Sequence, residues 1–114
     1  MTEELQNFEI YAGDTNNILI TVTNLETGEV KDLTGSDIEW VLYDPNLDET
    51  LITKIVGSGI TILPSGIMLI ELDPEDTLDI LPANWYVHEA EVTDTGGVIS
   101  TVTTGYVKVK RSKA

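Results

Sequence analysis

Short runs of alternating apolar and polar residues, each ended by a turn residue, constrain this chain more than any other feature. The clearest, Trp85–Val92, sets Tyr86, His88, Ala90 and Val92 on one face and Trp85, Val87, Glu89 and Glu91 on the other. A period of two with a charged outer side is the mark of a half-buried β-strand. Asp37–Tyr43 repeats the pattern, with Ile38, Trp40 and Leu42 on the core side. A tryptophan centred in such a strand is a natural packing residue, because aromatic rings bury the largest areas.

The other segments follow the same grammar. Phe8–Tyr11 closes on the turn signal Gly13-Asp14-Thr15, and Asn17–Thr23 follows with Ile18, Ile20 and Val22 facing in. The loop Asn24–Glu29 leads into a short strand at Val30–Leu33. Strands at Leu51–Ile55, Ile60–Leu63 and Ile67–Leu72 are separated by Gly57-Ser58-Gly59 and Pro64-Ser65-Gly66. Asp73-Pro74 begins a helical turn, with Asp as cap, Pro pre-set for the first position, and Leu78 and Leu81 as expected plugs. Asp94-Thr95-Gly96-Gly97 is a hairpin turn into a final strand, Val98–Val109, where Gly105 marks a bulge or a close approach.

This pattern predicts an all-β fold. The expected architecture is a two-sheet antiparallel β-sandwich, immunoglobulin-like in outline, of about eight or nine strands with one short helical turn near 73–81. A small closed barrel is the alternative. One domain is expected over residues 8–110, between a polar N-terminal arm (1–7) and a basic C-terminal tail (111–114).

Charge adds an asymmetry. All 20 acidic residues lie at or before Asp94, against Lys31 and Lys54, so residues 1–94 carry −18. Lys108, Lys110, Arg111 and Lys113 give residues 95–114 a charge of +4. An acidic body repels phosphates, so nucleic acid is not an expected partner. No apolar run approaches the roughly 20 residues of a membrane span, and no membrane association is expected. The acidic start MTEELQNFEI lacks the pattern of a signal peptide, and cysteine is absent, which fits the cytosol of the producing cell.

Catalytic chemistry finds little support. There is no cysteine nucleophile, and the one histidine, His88, falls on a core face. Gly57-Ser58-Gly59 lacks the lysine and helix of a phosphate loop. Glu89 and Glu91 share a strand face, but no cleft is implied around them. Neither catalytic nor cofactor-binding residues are expected. Calcium is the one ion with candidate ligands, at Asp44, Asn46 and Asp48 or at Asp73, Glu75 and Asp76. The first set lacks the glycine and the distal glutamate of a calcium loop, and a helix start explains the second without an ion.

The candidate functional residues are instead exposed and apolar. Val41 and Tyr43 on one strand, Trp85 and Val87 on another, and Leu19 on a third point away from the core. A hydrophobic outer patch marks contact with another subunit, unless a loop or the N-terminal arm covers it. With the basic Lys108, Lys110 and Arg111, these residues form the candidate interface.

The order of turn motifs carries a resemblance. Gly13-Asp14-Thr15, Val30-Lys31-Asp32-Leu33-Thr34-Gly35 before a tryptophan-bearing strand, Gly57–Ile62, Leu72–Thr77 and Trp85–Asp94 resemble small β-sandwich proteins of tailed bacteriophages. They are also similar to the N-terminal domain of phage upper-baseplate proteins. The resemblance implies a non-enzymatic virion structural protein, docking on other virion proteins and on copies of itself as a homo-oligomer. Upper-baseplate relatives continue into a receptor-binding region; a sequence ending at Ala114 would more naturally decorate a head, collar or tail, or act as an adaptor. Two other readings remain: a carbohydrate- or receptor-binding module using Tyr43, Trp85 and Tyr106, and an acidic mimic of DNA.

Overall fold

A computed structural model describes residues 4–23, 27–82 and 85–111. The strands are β1 (Glu4–Leu5), β2 (Phe8–Ala12), β3 (Asn16–Thr21), β4 (Asp37–Asp44), β5 (Glu49–Val56), β6 (Gly59–Leu63), β7 (Ile67–Leu72), β8 (Trp85–Thr93) and β9 (Ile99–Arg111). One helical turn, α1 (Pro74–Thr77), precedes β8. The fold is all-β, as the alternation predicts.

The strands form one sheet in the order β1-β9-β8-β4-β5-β6-β7-β3, with β2 also on β9, and it is rolled nearly into a barrel. The sheet is mixed, where an all-antiparallel arrangement was expected. β1 and β2 run parallel to β9, with Phe8 opposite Val107 and Ala12 opposite Arg111. Hairpin spacing cannot reveal this pairing, because it joins strands at opposite ends of the chain. β5 also meets β6 in parallel, over Ile55–Gly59 and Val56–Ile60. There Gly57 and Gly59, at φ 85° and 103°, let the chain fold over within two residues.

The core follows the predicted faces. Ile38, Trp40, Leu42, Tyr86, His88, Ala90 and Val92 are all buried, as are Ile18, Ile20, Val22, Met68, Ile70 and Leu72. Trp40 stands opposite Ala90, whose small side chain leaves room for the indole. Taking a tryptophan out of water removes about 200 Å² of surface, worth roughly 5 kcal/mol before entropy is charged.

Two local expectations need correction, and a third, a bulge or a close approach at Gly105, resolves to the close approach. Val30–Leu33 is not a strand; only an isolated bridge joins Thr23 to Val30, although Leu33 is buried. The Gly28 and Gly35 turns on either side leave too little chain to build a ladder. Leu78 and Leu81 are not plugs but are 58% and 66% exposed. The helix stops at Thr77, so the residues beyond it leave the helical face, and Thr77 and Ile80 turn inward instead. The bulge in β9 is not at Gly105: the register shifts where Ala90 meets Thr103 and Glu91 meets Thr101. Gly105 is the close approach, since a Cβ there would collide with the Gln6 carbonyl oxygen. Parts of the expected arm (residues 1–3), of the first hairpin loop (24–26) and of the basic tail (112–114) lie outside the described residues.

Candidate functional site

The outer face of β4, β8 and β9 assembles most of the candidate interface. Tyr43 pairs with Val87, and Val87 with Tyr106, so the three form one rung across three strands. Trp85 lies opposite Lys108 on the same side. Val41 pairs with Glu89 on the next rung. Trp85 and Tyr106 are more than half exposed, whereas Val41, Tyr43 and Val87 are half-buried. The Trp85 and Tyr106 rings meet edge to face, with centroids 6.3 Å apart and planes at 85°. Lys108 Nζ sits 5.8 Å from the Trp85 ring centroid, within reach of its negative face.

Electrostatics tune the rim. The Tyr43 hydroxyl donates to Glu89 Oε1 at 3.1 Å. Burial, and then the Glu89 charge beside it, push its pKa up, so it remains a donor at neutral pH. Lys110, expected in the interface, is already held within the chain. It bonds Glu9 Oε2 at 2.8 Å and lies 4.8 Å from the Tyr11 ring centroid. Its hydrogen bond and charge hold the Glu9 carboxyl below its ordinary pKa. Arg111 is exposed at the end of β9, opposite Ala12. Leu19 does not join this face, since it lies on β3, which pairs with β7 and borders β2 across a cleft.

His88 is fully buried, and both of its ring nitrogens are engaged. The Trp40 indole can only donate, and its Nε1–H reaches His88 Nδ1 at 3.1 Å. Nδ1 is therefore the acceptor, and Nε2 carries the proton it donates to the Gln6 carbonyl at 2.6 Å. The Phe8 ring leans on the imidazole at 4.8 Å. Burial pushes the His88 pKa down and keeps the ring neutral. His88 is thus a core residue that ties β4 and β8 to the segment joining β1 and β2, with no lone pair to offer a substrate.

The acidic residues named for calcium lie in turns. Asp44 Oδ1 accepts the Asn46 backbone N–H at 2.9 Å, closing a local turn, and Asp48 takes a left-handed conformation at φ 51°. Asp76 accepts the Asp73 N–H at 2.7 Å and pairs with Lys54 at 2.9 Å. Asp44, Glu75 and Asp76 do line one groove, with Leu47 and Leu81. Among the described residues, no three groups are placed to hold a metal ion.

Two contributors escape the sequence reading. Asn7, assigned to the arm, accepts the Tyr106 backbone N–H on its Oδ1 at 2.7 Å and so borders the aromatic face. Gln6 supplies the carbonyl that His88 needs. The only advance signal was Gly105, whose missing side chain admits that carbonyl.

Set against known proteins, the chain matches no family model and no curated sequence, and neither comparison links it to phage proteins.

Proposed function

We propose that this chain is a non-catalytic docking protein of a bacteriophage virion, made in the host cytoplasm. It would join other virion proteins and copies of itself in a homo-oligomer. The observation that carries this reading is the rung Tyr43–Val87–Tyr106, continued by Trp85. It forms an apolar strip on a body of net charge −14. Apolar surface rimmed by polar groups is the usual composition of a subunit contact. The state of His88 supports a role without catalysis, because the chain's one imidazole is spent on structural hydrogen bonds. The phage setting rests on the likeness of the turn motifs. In the same reading the roll works as a two-layer, immunoglobulin-like sandwich, with β2, β9, β8, β4 and β5 in one layer and β6, β7 and β3 in the other.

Purified particles of the phage that encodes the chain should contain it in fixed ratio to a head or tail protein, as read by quantitative mass spectrometry. The isolated protein should exceed its monomer mass in light scattering as concentration rises. A chain that is both absent from particles and monomeric throughout would end this reading.

A further inference from the structure

β2 and β3 are joined by the turn Gly13-Asp14-Thr15, yet they do not pair with each other. β2 lies on β9 and β3 on β7, and the two run in opposite directions along a seam where the roll stays open. A cleft of about 520 Å³ occupies that seam, lined by residues 6–10 and 16–19.

The ladders on either side decide which backbone groups face the cleft. On β9 the Tyr106 N–H turns toward the β2 side, where Asn7 takes it. The same step along a parallel ladder directs Lys108 to Phe8 and Ile10, so the Glu9 N–H and C=O face the cleft. On β3 the Val22 N–H bonds the Gly66 carbonyl at 2.8 Å, which sets the even-numbered residues toward β7. The N–H and C=O of Asn17 and Leu19 therefore face the cleft as well. Both walls present backbone donors and acceptors that, among the described residues, no strand takes up.

From this arrangement we infer that the seam takes one extended segment of a partner protein, inserted antiparallel to β3 and parallel to β2. A strand seated there has both of its edges bonded, so it cannot belong to another sheet. The occupant is a lone segment, not the edge of a folded domain or of a second copy. Its pattern follows from the walls. Residues bonded to Asn17 and Leu19 share their outward orientation, beside a leucine that is 63% exposed. The intervening residues bond Glu9 and point inward with Phe8, Ile10 and Ile18, which belong to the core or pack against it. The segment therefore alternates, apolar inside and polar outside. A net charge of −14 favours lysine or arginine at its outer positions.

The probe is a capped peptide of about eight residues, the length of an ordinary strand, with alternating valine and lysine. Its control has the same composition in the order Val-Val-Lys-Lys. At physiological salt the alternating peptide should bind the isolated chain below millimolar concentration and slow hydrogen exchange at Glu9, Asn17 and Leu19. The control should bind about tenfold more weakly, since half of its apolar groups would face outward. N-methylation of the lysines removes donors to β3 and should weaken binding by about the same factor. Leu19→Lys sets a charge on the edge without touching the core and should also weaken it; circular dichroism confirms that the variant folds. The inference is overturned if the alternating peptide fails to bind at millimolar concentration, if it protects other strands instead, or if the control binds as well. It is equally overturned if N-methylation or Leu19→Lys changes nothing. Slower exchange at Glu9, Asn17 and Leu19 with protein concentration alone also overturns it, since a second copy would then fill the seam. The seam does not depend on docking through the Tyr43–Val87–Tyr106 rung, which lies on other strands and is measured on particles, so the two readings fail separately.

Discussion

At the scale of single residues, His88 has the most to say. Its two ring nitrogens do different work: Nδ1 accepts from Trp40, and Nε2 donates to Gln6. Protonation would put N–H against N–H at Trp40, so the folded chain resists it, as burial also does. The folded pKa is therefore depressed below the ordinary value of 6.5, and below that pH the unfolded chain takes up the proton more readily. Stability from this source is complete above pH 6.5 and is lost as pH falls through the window beneath it. Because the chain has a single histidine, the urea midpoint should decline between about pH 6.5 and pH 5, above the ordinary carboxylate range. In His88→Gln the decline over that interval should vanish; an unchanged slope would contradict the assignment. The sequence placed His88 on the core face, since alternation sets which side a residue takes. It could not supply the partners, because Gln6 and Trp40 arrive from distant segments.

At the scale of elements, the acidic corner before β8 is held to the first turn by one buried side chain. Thr77 Oγ1 accepts the Gly13 backbone N–H at 2.9 Å. Thr77→Val keeps the shape but orphans that donor and should cost about 1–2 kcal/mol in chemical denaturation. A neutral substitution would show that the turn finds water instead. In that corner Asp76 accepts the Asp73 N–H and pairs with Lys54, and in the β4–β5 loop Asp44 accepts the Asn46 N–H. Millimolar calcium should accordingly leave the melting temperature unchanged, and a rise of several degrees would reveal a site. Strand faces were legible here because burial on one side leaves a period of two in the sequence. The parallel seating of β2 on β9 was not, since pairing across the whole chain leaves no local mark. Nor was the exposure of Leu78 and Leu81, which depends on where a one-turn helix stops.

At the scale of the whole molecule, the roll leaves β1 and β2 along one free edge and β3 along the other, with a cleft of about 520 Å³ lined by Gln6–Ile10 and Asn16–Leu19. β3 carries no charged residue, whereas β2 carries Glu9. Natural edge strands are commonly guarded by charge or proline, so β3 is the less defended of the two. The composition gave the acidic body and basic last strand directly, but not that Lys110 would be neutralised by Glu9. What remains exposed is the aromatic rung, with Lys108 beside it opposite Glu9, and Arg111 at the strand end, and the proposed role depends on that face being a contact. The direct measurement is hydrogen exchange on the chain within purified particles, compared with the isolated protein. Added protection should concentrate at residues 41–43, 85–87 and 104–108. Protection confined to other strands, with these residues exchanging as freely as in the isolated chain, would contradict it.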